Sequence, residues 1–239
     1  AGKTLTAGAN SLTFTKDTGT PFTAAGATLT AGTGTVTYSG TSASIASTTY
    51  YNLTVNNTGT LLADTTVSNV LTVNSGKTLN AGSYTLTLSG TGITPFVHAG
   101  GTFSNGTGIV SYTGATANVA STTYSNLTLG TGTYTMLANT TVTGTLTMTA
   151  LGTLNAAGTT LTLSGTGTPF VNSGATFDAQ AGTVTYSGAS ASIASTTFAN
   201  LNLQGDSTLT GAVTVTSTLA LTAGKTLTAG ANSLTFTKD

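Results

Sequence analysis

Seventeen residues, AGKTLTAGANSLTFTKD, occur twice without a difference, at Ala1–Asp17 and at Ala223–Asp239. The copies are offset by 222 (223 − 1), and the chain between them is itself periodic. Pro-Phe recurs at Pro21, Pro95 and Pro169, at equal offsets of 74. The block YSGTSASIASTTYYNL at Tyr38 has relatives at Tyr112 (YTGATANVASTTYSNL) and Tyr186 (YSGASASIASTTFANL), again 74 apart. A unit repeated in this way buries its apolar face against its neighbours, not within itself. Repetition therefore dictates a stacked architecture before any other feature is weighed.

The chain reads as one continuous array, 1–239, with repeats at about 1–74, 75–148 and 149–222, and 223–239 opening a fourth. Neighbouring repeats have diverged: Lys3–Asp17 and Lys77–Thr91 agree at 7 of 15 positions. Between landmarks the register slips by one residue, Leu71 matching Leu146 and Leu86 matching Leu161, as it does when loops absorb single insertions. Apolar–Thr–apolar triplets mark a finer division. Leu12-Thr13-Phe14, Val36-Thr37-Tyr38, Leu53-Thr54-Val55, Leu71-Thr72-Val73 and Leu86-Thr87-Leu88 follow one another at spacings of 24, 17, 18 and 15. A second apolar position, such as Ile45, Leu62 or Leu79, follows many of them. Each repeat thus divides into four sub-units of mean length 18.5 (74/4).

The alternation has period two, in short runs rich in β-branched and aromatic residues and punctuated by Gly, Asn and Ser. That is a strand pattern. Glycine, 31 of 239 residues, has no every-third spacing, which excludes collagen. Mean hydropathy is +0.24, too apolar for a disordered segment. No apolar run approaches the ~18 residues of a membrane helix, and the runs are shorter than the ~9–11 residues of a membrane-barrel strand. Charge is nearly absent: five Lys, five Asp, no Arg and no Glu, for a net charge of zero. A basic nucleic-acid footprint is therefore missing. Thr, about a quarter of the chain, supplies the polar surface, and its β-branched, hydroxylated side chain suits stacked strands. Without Cys the chain needs no redox partner, which permits life outside the cell. No signal peptide or capping sequence is visible.

Tandem strand-bearing sub-units predict an all-β fold, a β-solenoid (parallel β-helix) of about 18–19 residues per coil and four coils per repeat. Consecutive coils stack at about 4.8 Å, giving about thirteen coils and some 62 Å in all. In each triplet the outer side chains point inward and the central Thr outward. This nominates Leu12, Phe14, Leu53, Val55, Leu86, Leu88, Leu127, Leu129, Leu161 and Leu163 as core. Gly32, Gly40, Gly76 and Gly82 supply corners, and Pro-Phe opens a looped excursion in the longest sub-unit. A string of small antiparallel sandwiches is the competing fold. The likeness of the sub-repeats and the near absence of hairpin dipeptides, with Asn105-Gly106 the one case, count against it. The pattern G-x-T-L-x-A-G-x-x-x-L-T-L at Gly76–Leu88 resembles the degenerate repeats of bacterial surface β-solenoids, the filamentous-haemagglutinin-like adhesins and autotransporter passengers. The resemblance implies secretion and a rod, and it carries over no catalytic residue.

Candidate chemistry is sparse. Ala-Gly-Lys-Thr at Ala1–Thr4 and Ala223–Thr226 echoes the end of a phosphate-binding loop, but Leu219 stands where that motif needs its first Gly, so a coil corner is expected. Asp17, Asp64, Asp178 and Asp206 do not recur at matching positions, as paired catalytic carboxylates would have to. His98 is the single His and has no ligand company. The repeated aromatics Tyr38, Tyr112 and Tyr186, with Tyr50, Tyr124 and Phe198, fit stacked core corners better than an exposed sugar-binding strip. Thr-x-Thr pairs such as Thr4/Thr6 and Thr28/Thr30 suggest an ice-binding ladder but fall at several positions of the coil. The expectation is a structural protein, not an enzyme, with no cofactor and no metal. It forms an extracellular or cell-surface fibre or stalk by end-to-end continuation, with itself as partner, no nucleic acid and no membrane insertion. The alternative is an adhesin stalk or an ice- or sugar-binding Thr-rich surface.

Overall fold

In the computed structural model, which describes residues 3–23, 28–98 and 100–237, the chain is all-β. Its strands form parallel sheets stacked as a β-solenoid of about 11 turns. Two compact units, Ala1–Ala117 and Asn118–Asp239, make it up.

In the first unit three ladders run side by side. One stacks Leu12–Phe14, Thr35–Tyr38, the second half of Thr49–Val55, the second half of Thr65–Val73, and Phe96–Val97. The next holds Thr18–Gly19, Ser42–Ile45, Thr58–Leu61, Thr78–Asn80 and Thr102–Ser104. The third carries the first halves of Thr49–Val55 and Thr65–Val73, then Thr85–Leu88 and Ile109–Tyr112. Thr4–Thr6 pairs with Thr28–Thr30 apart from these. Two strands pass from one ladder into the next without a turn. The register shift between Tyr50 and Asn52 marks that corner, as a bulge bends a strand.

Alternation decides which side chains enter the coil. Leu53 and Val55, then Leu71 and Val73, are fully buried, with Thr54 and Thr72 half-buried between them. The second unit follows the same rule. Leu127–Leu129 stacks on Leu146–Met148, and Leu161–Leu163 on Val184–Tyr186, with the apolar members buried. Each such side chain contributes about 1.5–3 kcal/mol by leaving water.

The turn is longer than the sequence spacing predicts. Leu86 does not stack on Leu71, the preceding triplet. It pairs with Thr65, an offset of 21 (86 − 65), while Leu71 pairs with Phe96, an offset of 25 (96 − 71). The triplets at Leu71 and Leu86 thus belong to two different ladders, and counting them as consecutive coils shortens the turn. About 11 turns replace the expected thirteen, and a repeat is not four whole turns. The column Tyr50, Val67, Leu88, Tyr112 makes the arithmetic visible. A step of 12 (50 − 38) carries the chain from Tyr38 past the second ladder to Tyr50 on the third. Steps of 17, 21 and 24 then climb three turns, and the four steps sum to 74. Each repeat is therefore three turns plus two ladders. Tyr124, Val142, Leu163 and Tyr186 repeat the pattern in the second unit at 18, 21 and 23.

Two further expectations shift. Pro-Phe closes the excursion and does not open it. Phe96 and Phe170 are buried strand residues, and the carbonyls of Pro95 and Pro169 accept from the N–H groups of Leu71 and Leu146 at 2.8 Å. A Pro at the strand's first position keeps its useful carbonyl and loses only an unneeded donor. Leu62 points outward, 43% exposed, because Leu61 before it takes the inward position.

Candidate functional site

The repeated aromatics fill the coil. Tyr38, Tyr112 and Tyr186 are at most 1% exposed, and Tyr50, Tyr124 and Phe198 are fully buried. None can present a ring to a sugar. In the first unit the Tyr50 hydroxyl donates to the Ala46 carbonyl at 2.8 Å and lies 2.8 Å from the Tyr38 oxygen, which accepts from the Ala46 N–H at 3.2 Å. With its proton on Ala46, Tyr50 must accept from Tyr38, so three bonds close around one residue. Burial pushes the hydroxyls of Tyr38, Tyr50, Tyr134 and Tyr186 above their ordinary pKa. These are inert structural phenols. The sequence showed their recurrence but not the ring of bonds, which depends on a short step round a corner.

The remaining core positions named from the sequence lie inside, with one pair apart. Leu53, Val55, Leu86, Leu88, Leu127, Leu129, Leu161 and Leu163 are buried. Leu12 and Phe14 are half-buried, because among the described residues they pair on one side only, with Val36 and Tyr38.

The carboxylates of Asp64, Asp178 and Asp206 are turn fixers, whereas Asp17 engages through its backbone carbonyl, which accepts from the Thr41 hydroxyl and the Ser42 N–H. Asp64 Oδ1 accepts from the Thr85 N–H at 2.8 Å, and Asn139 Oδ1, the matching residue one repeat later, accepts from Thr160 at 2.9 Å. Asp178 Oδ1 takes the Gln180 N–H, as Asn155 takes that of Ala157. Asp206 Oδ1 accepts both the N–H and the hydroxyl of Thr226 at 2.9 Å. Those two bonds, with nearby Lys225, hold its carboxyl below the usual range. An Asn holds the same kind of turn at Asn139 and Asn155, so charge is not what these sites need. The His98 ring lies against that of Phe96, tilted by 54° with centroids 5.2 Å apart. Among the described residues no three His, Cys, Asp or Glu side chains gather for a metal. The Ala1–Thr4 motif lies partly outside the described residues, and Ala223–Thr226 is a turn with no helix after it. A shallow depression bordered by Leu29, Tyr51 and Ser68 carries no charged side chain.

Outward-facing hydroxyls do align. On the second ladder of the first unit, Ser42/Ser44, Thr58/Thr60, Thr78/Asn80 and Thr102/Ser104 stack as four two-residue rungs. The second unit stacks Thr133/Thr135, Thr153/Asn155 and Thr176/Asp178. Thr-x-Thr pairs scattered in sequence are gathered by the longer turn, although Asn, Ser and Asp interrupt them.

No family model, no curated protein and no solved structure matches the chain. Among the described residues no helix is long and apolar enough to cross a membrane.

Proposed function

We propose that this chain is a structural segment of an extracellular fibre or stalk, extended by continuation of its turns along one polypeptide or across copies set end to end. The observation that carries this reading is the column. Phe198, Val215 and Phe236 stack at offsets of 17 and 21, and Phe14 and Tyr38 stack at 24. Because Phe14 and Phe236 occupy the same place in the identical segments, the two series join into the 17, 21, 24 of Tyr50, Val67, Leu88 and Tyr112. A turn following Phe236 therefore meets the surface that the turn following Phe14 already meets. Negative-stain microscopy of the purified chain tests the reading: filaments that lengthen with concentration are expected, and compact, non-elongating particles contradict it.

The hydroxyl rungs favour a second reading, a surface that binds ice or sugar along a stalk. Thermal hysteresis or a glycan-array signal supports it, and a null in both leaves the fibre.

A further inference from the structure

The N–H groups of Ala7, Ala81 and Ala156 donate to the carbonyls of Thr30, Ser104 and Asp178 on the next turn, at 2.9, 2.8 and 2.9 Å. Ala31 and Ala179 follow two of the strands that receive these bonds, Thr28–Thr30 and Thr176–Asp178. Their own N–H groups have no backbone partner among the described residues. The cause is a break in the ladder. Thr28–Thr30 pairs with Thr4–Thr6, and Thr176–Asp178 with Thr153–Asn155, but neither pairs with a strand on its other side. Thr49–Val55 and Thr197–Leu203 come close there without pairing. Both breaks are internal, with paired turns before and after each.

In the first unit the break opens a depression of about 270 Å³. Leu29 and Ala31, each 4% exposed, line it, and Thr30, Thr49 and Ser68 bring hydroxyls to it. Tyr51 supplies an aromatic ring. The register shift between Tyr50 and Asn52 leaves Tyr51 outside the pairing, so it stays half-buried at the surface while Tyr50 and Leu53 are fully buried; a bulge re-aims a side chain in this way. Ser125 and Ala199 stand at the matching positions of the later repeats, so the ring belongs to the first repeat alone.

The N–H of a buried residue is costly to leave unpaired, and that of Ala31 calls for an acceptor from outside the chain. No charged side chain borders the depression, so a phosphate or a carboxylate finds no counter-charge there. A hydrocarbon would leave the N–H and three hydroxyls without partners. The set fits a neutral molecule with an apolar face for the ring and hydroxyls around its edge. We infer that the depression binds one neutral pyranose, its C–H face on Tyr51 and a hydroxyl oxygen accepting from the Ala31 N–H. A volume below the ~300–1,000 Å³ of pockets for larger ligands limits it to a single sugar ring. The inference rests on the sugar half of the second reading above, but it sets the sugar here and not on the hydroxyl rungs.

Saturation-transfer NMR of the whole chain with the methyl pyranosides of glucose, galactose, mannose and N-acetylglucosamine tests the site. At least one should receive saturation, most strongly at the C–H protons of one ring face, with a Kd of order ~1 mM. Y51F keeps the ring and should bind as the parent does. Y51S carries the residue type of Ser125 at the matching position, so it should fold like the parent, and it should bind about tenfold more weakly or worse. T78V/T102V strips hydroxyls from two rungs and should bind as the parent does. A parent that transfers no saturation to any of the four, or a Y51S that binds as the parent does, overturns the site. Binding kept in Y51S and lost in T78V/T102V moves the sugar to the rungs, which overturns this site and leaves the second reading standing.

Discussion

The Tyr38 and Tyr50 oxygens lie 2.8 Å apart in the interior of the first unit, on two adjacent ladders. Their bonds to both the N–H and the carbonyl of Ala46 tie one corner of the coil together. Y50F would leave the Ala46 carbonyl and the Tyr38 proton buried without partners, at a cost of about 1–3 kcal/mol. Urea denaturation of the variant against the parent measures it.

The same phenols set an alkaline limit. Burial raises the folded-state pKa of Tyr38, Tyr50 and Tyr186 above the ordinary value of 10.0. The unfolded chain therefore releases protons first as pH rises. Stability from this source is complete below about pH 10 and is lost progressively above it as pH climbs toward the folded values. Denaturation midpoints should hold steady through about pH 9 and fall beyond about pH 10, and Y186F should flatten the fall.

Phe198 interrupts the pattern in an informative way. Its ring meets that of Tyr186 at 6.3 Å and 84°, close to the 6.3 Å and 78° of Tyr50 against Tyr38. The Ala194 N–H reaches the Tyr186 oxygen at 3.4 Å, but Phe198 has no hydroxyl for the Ala194 carbonyl. F198Y should complete the ring and stabilise the second unit by about 1 kcal/mol. A loss of stability on thermal melting would show that the space differs from that at Tyr50.

Leu151 sits at φ 69° with 85% of its surface exposed, at the place where the preceding repeat has Gly76 at φ 68°. A left-handed backbone costs a non-glycine residue about 1–2 kcal/mol. L151G should therefore raise stability by about 1 kcal/mol, after the extra freedom glycine gives the unfolded chain is subtracted. The reverse constraint holds at Gly188. It stacks on Gly165 so closely that a Cβ would run into the Gly165 carbonyl oxygen. G188A should lower stability by about 2 kcal/mol or more through overpacking against backbone. Thermal melts of the two variants beside the parent check both signs.

The strand-and-turn character, the parallel stacking and the inward triplets were legible because they are local. Leu53-Thr54-Val55 declares its buried side by alternation alone. The turn length was not legible. Leu71-Thr72-Val73 and Leu86-Thr87-Leu88 look like successive copies of one position, yet the first follows a corner that has no Gly or Pro. Thr65–Val73 bends from one ladder to the next within a single strand, so no residue type announces the corner. The role of Pro-Phe was hidden for a similar reason: Pro breaks a ladder on its N–H side only, and sequence does not show which side faces the loop. The kinship of Asp64 and Asn139 was hidden because their residue types differ, although their side-chain oxygens hold the same turn.

The winding is tested most directly by cysteine pairs at outward positions in a chain whose described residues include no cysteine. Thr87 is the register partner of Thr66, and Thr72 lies on another ladder beside Thr54. Adjacent strands place partner Cα atoms within disulfide reach. Under mild oxidation T66C/T87C should close an intramolecular disulfide in the folded chain while T72C/T87C stays reduced. Closure of T72C/T87C with T66C/T87C left reduced would restore the shorter coil and contradict a turn built from three ladders.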